Sequence, residues 1–326
     1  MQNVLVTGGT GFIGRVLVAE LRRRNCRVRV LARNERPDLC AADEWFCADL
    51  ATPATLAGAA RGCDTLFHLA GYAHATSRPY PDEVEHHRRI NLAGTRAVLE
   101  DALSAGVERF VYASSVKAAG EDASRCIDET TAIEPVDPYG RIKRDCEQEV
   151  LSACAARGVH AAVIRPALVY GAGVKGNIAA MAAWIRKGVF PPLPDTGNIR
   201  SMVEVRDLVQ ALLAAADRPQ ARGGTYIITD GEAYSSQRVY LALRRALGKP
   251  EPRVTVPAWL LRLGGRSGDG LERLLRRPLP LNSTHIARLL DSACYRSVRA
   301  RQDLDFQPRY RFEDVVTGLL GEGARG

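Results

Sequence analysis

The sequence predicts a doubly wound α/β fold, in which helices cover both faces of a parallel sheet, with a smaller lobe formed by the C-terminal half. Three observations support this prediction. Strand-like and helix-like segments alternate through the first half of the chain, the strand-like runs are apolar throughout, and a glycine-rich turn follows the first run. Such alternation at short spacing requires parallel strands with crossover helices, and strands buried on both faces have continuous apolar sequences.

The predicted elements of the first half follow one another at regular intervals. Segments with helical periodicity, such as FIGRVLVAELRRR, separate the β-branched runs, which lie at residues 3–7, 27–32, 65–70, 109–114 and 160–166. After Pro166 the pattern loosens into Gly/Pro loops, followed by a helix in VRDLVQALLAAAD and a strand in TYIITD. We therefore expect an N-terminal domain over residues 1–166 and a smaller lobe over residues 167–326, some segments of which return to the sheet.

The composition is typical of a globular protein. The chain has 326 residues, 46% hydrophobic and 25% charged, and no apolar run approaches the ~18 residues that span a bilayer. Its eight cysteines form no C-x-x-C pair and no pattern with histidine at metal-ligand spacing, so we expect reduced thiols, no disulfide framework and no metal site. The chain passes from Met1 almost directly into VLVTGG without a leader pattern, and we expect a cytoplasmic protein that does not insert into membranes.

The net charge of +8 is concentrated in the C-terminal part of the chain. From Arg253 to Arg311 there are twelve arginines, no lysine and five acidic residues, a net charge of +7. A basic tract of this kind faces solvent, nucleic acid, anionic lipid or a phosphorylated ligand. Because the tract lacks interleaved aromatic residues and any nucleic-acid motif, a solvated basic face is the first interpretation and a diphosphate-bearing substrate the second. We do not expect nucleic acid as a partner.

A glycine-rich turn, TGGTGFIG at residues 7–14, connects the first predicted strand to the first predicted helix. Gly8, Gly11 and Gly14 recur at intervals of three within it. Glycines let the backbone turn tightly and approach a pyrophosphate, whose charge is stabilised by the N-terminus of the helix. In this position the turn predicts a dinucleotide-binding site.

Tyr139 and Lys143 lie four residues apart in DPYGRIKRD and therefore on one face of a predicted helix. An ammonium beside a phenol favours the phenolate, so we expect Lys143 to lower the pKa of Tyr139 and make it a general acid/base. Ser114 ends the run at 109–114 and Ser115 follows it, at the carboxyl ends of the strands where ligands bind in open α/β folds. A hydroxyl there can hydrogen-bond a reacting oxygen, so the three motifs together predict hydride and proton transfer at a carbinol carbon.

These motifs, with ADL at 48–50, HLAG at 68–71 and RPALVYG at 165–171, resemble the extended short-chain dehydrogenase/reductase family. More narrowly, the chain resembles the nucleotide-sugar epimerase/dehydratase branch of that family, and the match covers nearly its whole length. The resemblance implies a Rossmann-like domain, a nicotinamide cofactor and a C-terminal lobe that binds a UDP-sugar. It is compatible with a homodimer.

The resemblance also implies a role for each residue that matches a family motif. The residues that would contact the cofactor are Gly8, Gly11, Phe12, Ile13, Gly14, Asp49, Leu50 and Ala70. Tyr139 would exchange a proton with the sugar oxygen, Lys143 would bind the nicotinamide ribose, and Ser115 matches the catalytic serine better than Ser114 does. Asn177 and Arg200 would hold the nucleoside diphosphate. His74 lies in the loop that would face the sugar, with a packing role in that loop as the alternative.

Two departures from the family pattern bear on the reaction. In 4,6-dehydratases of this branch the catalytic Ser/Thr is followed by Asp-Glu, whereas Val116 and Lys117 follow Ser115 here, which disfavours dehydration. SSVKAAGE instead resembles enzymes that act at C4 of UDP-N-acetylhexosamines, as epimerases or as reductases of a 4-keto-6-deoxy sugar.

The second departure lies at the tip of the second predicted strand, where the family acid is replaced by Ala32 and followed by Arg33. A small residue followed by a cation accommodates the 2′-phosphate of NADP. We expect NADP. The alternative is an enzyme that also accepts NAD, in which Arg33 points to solvent. Exchangeable NADPH suits a reductase and retained NAD suits an epimerase, so the sequence favours reduction and leaves 4-epimerisation open. A non-catalytic nucleotide-binding protein would have lost Tyr139 or Lys143, and both are present.

Overall fold

The computed structural model describes residues 1–73, 82–122, 124–174, 176–275 and 282–319, with the backbone alone at residues 273 and 274. Within these residues a seven-stranded parallel sheet has the strand order β3-β2-β1-β4-β5-β6-β9. Its strands are β1 (Asn3–Thr7), β2 (Arg27–Ala32), β3 (Glu44–Cys47), β4 (Thr65–His68), β5 (Arg109–Ala113), β6 (His160–Pro166) and β9 (Gly224–Ile228). This order reverses direction between β1 and β4, which is where doubly wound sheets bind dinucleotides.

Helices cover both faces of the sheet. One face packs against α1 (Phe12–Arg23) and α6 (Val205–Asp217). The other face packs against α3 (Gly94–Ser104) and α4 (Pro138–Ala156), which follow a short α2 (Glu83–His87) and a π-helical turn at Arg88–Ala93. Because alternate side chains of each strand point to opposite faces, Val4 and Val6 join the first core while Leu5 joins the second. The predicted doubly wound Rossmann-like fold is confirmed.

The C-terminal half forms a third core beside the sheet. Among the described residues it is built by a two-stranded parallel pair and by five helices. The strands are β7 (Leu168–Tyr170) and β8 (Met202–Glu204), and the helices are α5 (Asn177–Arg186), α7 (Ser236–Ala246), α8 (Ala258–Leu275), α9 (Ser283–Leu290) and α11 (Phe312–Leu319). Helix α10 (Val298–Asp303) packs against β9 of the main sheet instead. Strand β9 and helix α6 come from this half of the chain but pack with the main sheet. None of the described helices is both long and apolar enough to cross a membrane.

Strand β3 was not anticipated. It pairs with β2 at the edge of the sheet, and its four residues are half-buried or exposed. Its sequence, EWFC, lacks the continuous apolar run that marks the central strands, because only one edge of β3 is paired. The predicted strands at 65–70 and 109–114 end earlier than expected, at His68 and Ala113, so the residues after them are free to form loops at the sheet edge.

The expectation that all eight cysteines are reduced is wrong for two of them. Cys126 and Cys294, 168 residues apart in sequence, form a disulfide. Ile127 and Tyr295 next to them form a parallel bridge, with the Ile127 N–H donating to the Cys294 carbonyl at 3.0 Å. No local pattern in the sequence marks this pair, because the pairing depends on a contact between a long loop and the C-terminal lobe. The other six cysteines are free thiols.

Candidate active site

The turn between β1 and α1 has a backbone that only glycine allows. Gly8 has a φ of +73°, and a Cβ atom there would lie 2.8 Å from the Ala70 backbone nitrogen. A Cβ on Gly14 would lie 2.1 Å from the Gly8 carbonyl oxygen. The turn is closed by the Gly11 N–H, which donates to that carbonyl at 2.9 Å. The loop and the start of α1 are thus held close enough to present backbone N–H groups to a phosphate.

A cleft of about 400 Å³ opens beside this turn, at the point where the strand order reverses. It brings together six of the residues assigned to cofactor contact from the sequence, which are Gly8, Gly11, Arg33, Asp49, Leu50 and Ala70. Phe12, Ile13 and Gly14 form the first turn of α1 behind the loop and do not line the cleft. Thr10 and Tyr72, which the sequence did not single out, also line it. An elongated cleft with a glycine turn at its base fits a dinucleotide.

The tip of β2 places Ala32 and Arg33 in the wall of this cleft. Arg33 is exposed and forms no ion pair with a described residue. The nearest acid in the wall, Asp49, accepts a hydrogen bond at 3.0 Å from the backbone N–H of Ala51, within its own turn. The guanidinium of Arg33 is therefore available to an anionic group in the cleft.

Ser115 and Tyr139 are brought together by a close approach of helix α4. Asp137 accepts a hydrogen bond from the Tyr139 backbone N–H at 3.2 Å and begins α4, while Ser115 begins a short 3-10 turn at Val116–Ala119. A Cβ on Gly140 would lie 2.5 Å from the Lys117 carbonyl oxygen, so only glycine lets the two segments pack this closely. The side chains of Ser115 and Tyr139 are hydrogen-bonded to each other.

The Lys143 ammonium contacts strand β5. This ammonium, buried on α4, donates to the Tyr112 hydroxyl at 2.8 Å and to the Ala113 carbonyl at 2.9 Å. Burial lowers the pKa of Lys143 to about 8. Burial also raises the pKa of Tyr139 to about 12, helped by the charge of Asp137 and opposed by the hydrogen bond from Ser115. The ammonium is turned toward β5 in this arrangement, and the expectation that Lys143 lowers the pKa of Tyr139 stays a prediction.

Tyr112 is a site residue that the sequence did not reveal. It is fully buried on β5, and the Lys143 ammonium lies 4.4 Å from the centre of its ring. The ring stacks on that of His68 with centroids 5.5 Å apart. His68 is fixed in turn between the hydroxyls of Thr7, at 2.6 Å, and Thr95, at 2.9 Å. The only signal was the position of Tyr112 three residues before Ser115.

The His87 ring contacts Tyr139 and is held by Asn91, and the sequence did not reveal either residue. The His87 ring lies 5.2 Å from that of Tyr139 and 4.7 Å from that of Tyr72. Asn91 accepts from the Tyr72 backbone N–H at 2.7 Å, and its Nδ2 lies 3.0 Å from His87 Nδ1. These contacts fix the wall of the cleft beside Tyr139.

A second pocket, of about 280 Å³, lies in the C-terminal lobe and contains both residues assigned to diphosphate contact. Asn177 begins α5, and Arg200 precedes β8 in a segment bridged to Tyr234 and to Ala293. Five polar residues line the pocket, which are Asn177, Arg200, Ser236, His285 and Arg288. Nine apolar residues form the rest of the lining, which are Leu168, Ile178, Ala180, Met181, Trp184, Phe190, Met202, Val239 and Leu289.

Arg200 is a desolvated cation in this pocket. Burial lowers its pKa, the charges of Glu121 and Asp291 oppose this effect, and the charge of Arg288 on α9 adds to it. Among the described residues neither arginine forms an ion pair with a carboxylate, and Arg200 donates only a long hydrogen bond, at 3.4 Å, to the Asp291 carbonyl. Two neighbouring guanidinium groups without carboxylate partners favour the binding of an anion.

A chain of contacts links the Ser115 loop to the Arg200 segment. The Tyr295 hydroxyl donates to the Gly120 carbonyl at 3.2 Å, and Tyr295 and Ser201 exchange hydrogen bonds of 2.8 and 3.1 Å. The disulfide at Cys126–Cys294 lies one residue from this bridge. The two halves of the site are therefore positioned relative to each other by the loop that follows Ser115.

Two residues considered from the sequence do not contribute a described contact to the site. His74 lies outside the described residues. Ser114 is buried, and its hydroxyl has no hydrogen-bond partner among the described residues. Of the two serines, Ser115 is the one that contacts Tyr139.

Comparison with known proteins places this site in a family. A sequence model of the NAD dependent epimerase/dehydratase family matches residues 4–229. The chain is 30% identical over 339 residues to sterol demethylase protein B of Methylococcus capsulatus, with 99% of each chain covered. It is 29% identical over 281 residues to UDP-glucose 4-epimerase of Vibrio cholerae, covering 84% of this chain and 85% of that protein.

The solved structures agree with the sequence comparison. MoeE5 in complex with UDP-glucose and NAD superimposes with a TM-score of 0.75 at 25% identity, covering 98% of this chain and 97% of that one. The doubly wound parallel sheet is the fold that the resemblance implied. The chain belongs to the NAD-dependent epimerase/dehydratase family, within the extended short-chain dehydrogenases and reductases.

Proposed function

We propose that the protein uses NADPH to reduce the 4-keto group of a UDP-4-keto-6-deoxy-N-acetylhexosamine. The observation that carries this proposal is the second pocket, in which Arg200 and Arg288 face one space beside Asn177. Charge-assisted hydrogen bonds from two guanidinium groups match a diphosphate, and the apolar side of the pocket has room for a planar base. The basic tract thus contributes Arg288 to substrate binding.

The cofactor cleft would hold NADPH, whose bound nicotinamide supplies a hydride to the ketone carbon. The glycine turn would face the pyrophosphate, and the N-terminus of α1 would present its backbone N–H groups to it. Arg33 would contact the 2′-phosphate, since Ala32 replaces the acid that would repel it. A cofactor that exchanges after each turnover suits net reduction, and this supports the reductase over the epimerase.

Three side chains would take part in the proton transfer to the substrate oxygen. Tyr139, kept protonated by a pKa of about 12, donates its proton to the oxygen that forms at C4. Ser115 hydrogen-bonds the same oxygen and holds the tyrosine hydroxyl in place. Lys143 stabilises negative charge that develops on Tyr139 once the proton has left, and contacts the ribose of the cofactor. Its ammonium would move from Tyr112 to do so.

The residues after Ser115 support C4 chemistry without dehydration. Val116 is buried and Lys117 forms an ion pair with Glu121. Neither position offers a carboxyl group that could remove a proton from the sugar ring at C5. The residues that remain, Ser115 and Tyr139, serve only a carbonyl oxygen.

Three further statements belong to the same proposal. Residues 1–166 would serve mainly the cofactor and residues 167–326 mainly the sugar nucleotide, with β9 and α6 returning to the sheet. The protein would act in the cytoplasm. A homodimer is compatible with this chemistry and is not required by it.

The test is a substrate panel with NADPH or NADH, followed by absorbance at 340 nm and by product analysis. Expected is stoichiometric NADPH oxidation with a UDP-4-keto-6-deoxy-N-acetylhexosamine. Interconversion of gluco and galacto UDP-sugars, with NAD retained through purification and no net cofactor turnover, would instead establish a 4-epimerase. The panel includes an apolar cyclic ketone, because the apolar lining of the second pocket favours such a substrate as the second candidate. Turnover of that ketone alone would refute the UDP-sugar proposal.

A further inference from the structure

Helix α8 presents large apolar side chains to solvent. Trp259, Leu260 and Leu263 are exposed to 66, 44 and 51%. The opposite face of α8 packs through Leu261 and Gly265 against α9, where a Cβ on Gly265 would lie 3.1 Å from a methylene of Ile286. The helix is therefore fixed to the lobe by one face, and its outward face carries the side chains that a folded protein normally buries.

The charges of α8 are sorted between these two faces. Arg262 and Arg266 join Trp259 and Leu263 in lining a shallow depression on the outward face. The two acids of the helix face α9 and its preceding loop instead. Asp269 accepts from the Ser283 backbone N–H at 2.9 Å, and Glu272 accepts from the Asn282 side chain at 3.1 Å. The outward face thus combines apolar and cationic side chains without an acid of its own helix.

This combination is complementary to an anionic bilayer surface. A tryptophan and two leucines can enter the boundary between headgroups and acyl chains, while neighbouring arginines contact lipid phosphates. A second copy of this chain is a poorer occupant, because a symmetric contact would place Arg262 and Arg266 opposite arginines in a tract with a net charge of +7. Arg262 has one acid nearby, the exposed Asp291 at 3.8 Å, which compensates it weakly.

We propose that α8 is a peripheral membrane-binding helix that docks the protein on anionic phospholipid. The helix lies on the surface and does not span it, in agreement with the absence of a spanning helix among the described residues. Helix α9 lies between α8 and the second pocket and contributes His285 and Arg288 to that pocket. Docking through α8 would therefore hold the second pocket near the bilayer. This inference does not depend on which substrate the pocket takes.

The experiment is co-sedimentation of the full-length protein with phosphatidylcholine vesicles, with and without phosphatidylglycerol. We expect binding only when phosphatidylglycerol is present, and a decrease with added salt. Each of Arg262→Gln and Arg266→Gln should weaken binding about fivefold, the factor that corresponds to ~1 kcal/mol per arginine near an anionic surface. Trp259→Ser with Leu263→Ser should weaken it on the order of tenfold or more.

Matched controls distinguish binding through this face of α8 from nonspecific binding through any exposed charge or apolar side chain. Val189→Ser removes an equally exposed apolar side chain, and Arg245→Gln removes an exposed arginine on α7, so both should bind as the wild type does. Vesicles should also shift the tryptophan emission of the wild type to the blue, and Trp259→Phe should abolish the shift while Trp45 and Trp184 remain.

Three results would overturn the proposal. The first is a wild type that does not sediment with phosphatidylglycerol vesicles at low salt. The second is binding that the α8 substitutions leave unchanged. The third is light scattering that shows a dimer converted to a monomer by Trp259→Ser, which would assign the face to a second copy. Melting temperature and NADPH binding of each variant confirm that it is folded.

Discussion

The two pockets of the molecule are built in different ways. The cofactor cleft is lined along one sheet edge by backbone and small side chains, with Gly8, Gly11 and Ala70 at its base. The second pocket is assembled from α5, α7, α9 and β8, and its polar contacts come from long side chains such as Arg200 and Arg288. The first depends on close backbone approach and the second on side-chain identity, so we expect the first to specify a cofactor class and the second to decide the substrate.

Removing the proton donor should give the largest effect. Tyr139→Phe keeps the ring against His87 and loses only the hydroxyl that Ser115 contacts. We expect kcat to fall by ~10²–10⁴-fold, the usual range for a general acid, with cofactor affinity unchanged. Stopped-flow reduction and NADPH titration measure the two quantities. A kcat within a few-fold of the wild type would remove Tyr139 from the chemistry.

The next largest effect, on substrate affinity, is expected from substitutions in the second pocket. Arg200→Gln removes a desolvated cation, and we expect KM for the UDP-sugar to rise by roughly 30-fold, corresponding to about 2 kcal/mol. Arg288→Gln is the matched control on an exposed arginine of the same pocket, and a few-fold rise is expected because solvent screens it. If both variants leave KM unchanged, the diphosphate is bound elsewhere.

The cofactor cleft should respond to Arg33→Ala with a smaller change. The variant should bind NADPH about 5- to 30-fold more weakly, or ~1–2 kcal/mol, because Arg33 is exposed and partly screened. NADH binding should hardly change, since it lacks the 2′-phosphate. Fluorescence titration with both cofactors provides the measurement. Equal wild-type affinities for NADH and NADPH would show that Arg33 faces only solvent.

The smallest change is expected from Tyr112→Phe, in the pH dependence. Burial lowers the pKa of Lys143 to about 8, so the ammonium is present below that pH and is lost as the pH rises through it. We therefore expect kcat to decline above about pH 8. The Tyr112 hydroxyl accepts from the ammonium and favours its charged form, so Tyr112→Phe should move the decline to lower pH by about one unit. An unchanged profile would mean that Tyr112 only packs.

The contrast between the cofactor cleft and the second pocket also explains what could be predicted from the sequence. The glycine turn and the central strands follow from local spacing, because backbone conformation and sheet position are encoded within a few residues. Ser115 and Tyr139 were brought together by the family resemblance and not by spacing. Arg288 could be counted in the basic tract but not placed, since α9 reaches the pocket only through the packing of the lobe. The Cys126–Cys294 disulfide and the contact from Lys143 to Tyr112 were missed for the same reason. Each joins segments whose proximity is a property of the tertiary fold.

The most direct test of the account follows the hydride itself. The purified protein is incubated with a UDP-4-keto-6-deoxy-N-acetylhexosamine and NADPH that carries deuterium at the transferred position, and the product is examined by mass spectrometry and NMR. The account predicts one deuterium at C4 of a single epimer, with one NADPH oxidised for each product formed. A product that gains no deuterium from added NADPH, while UDP-hexoses are interconverted by retained NAD, would contradict it.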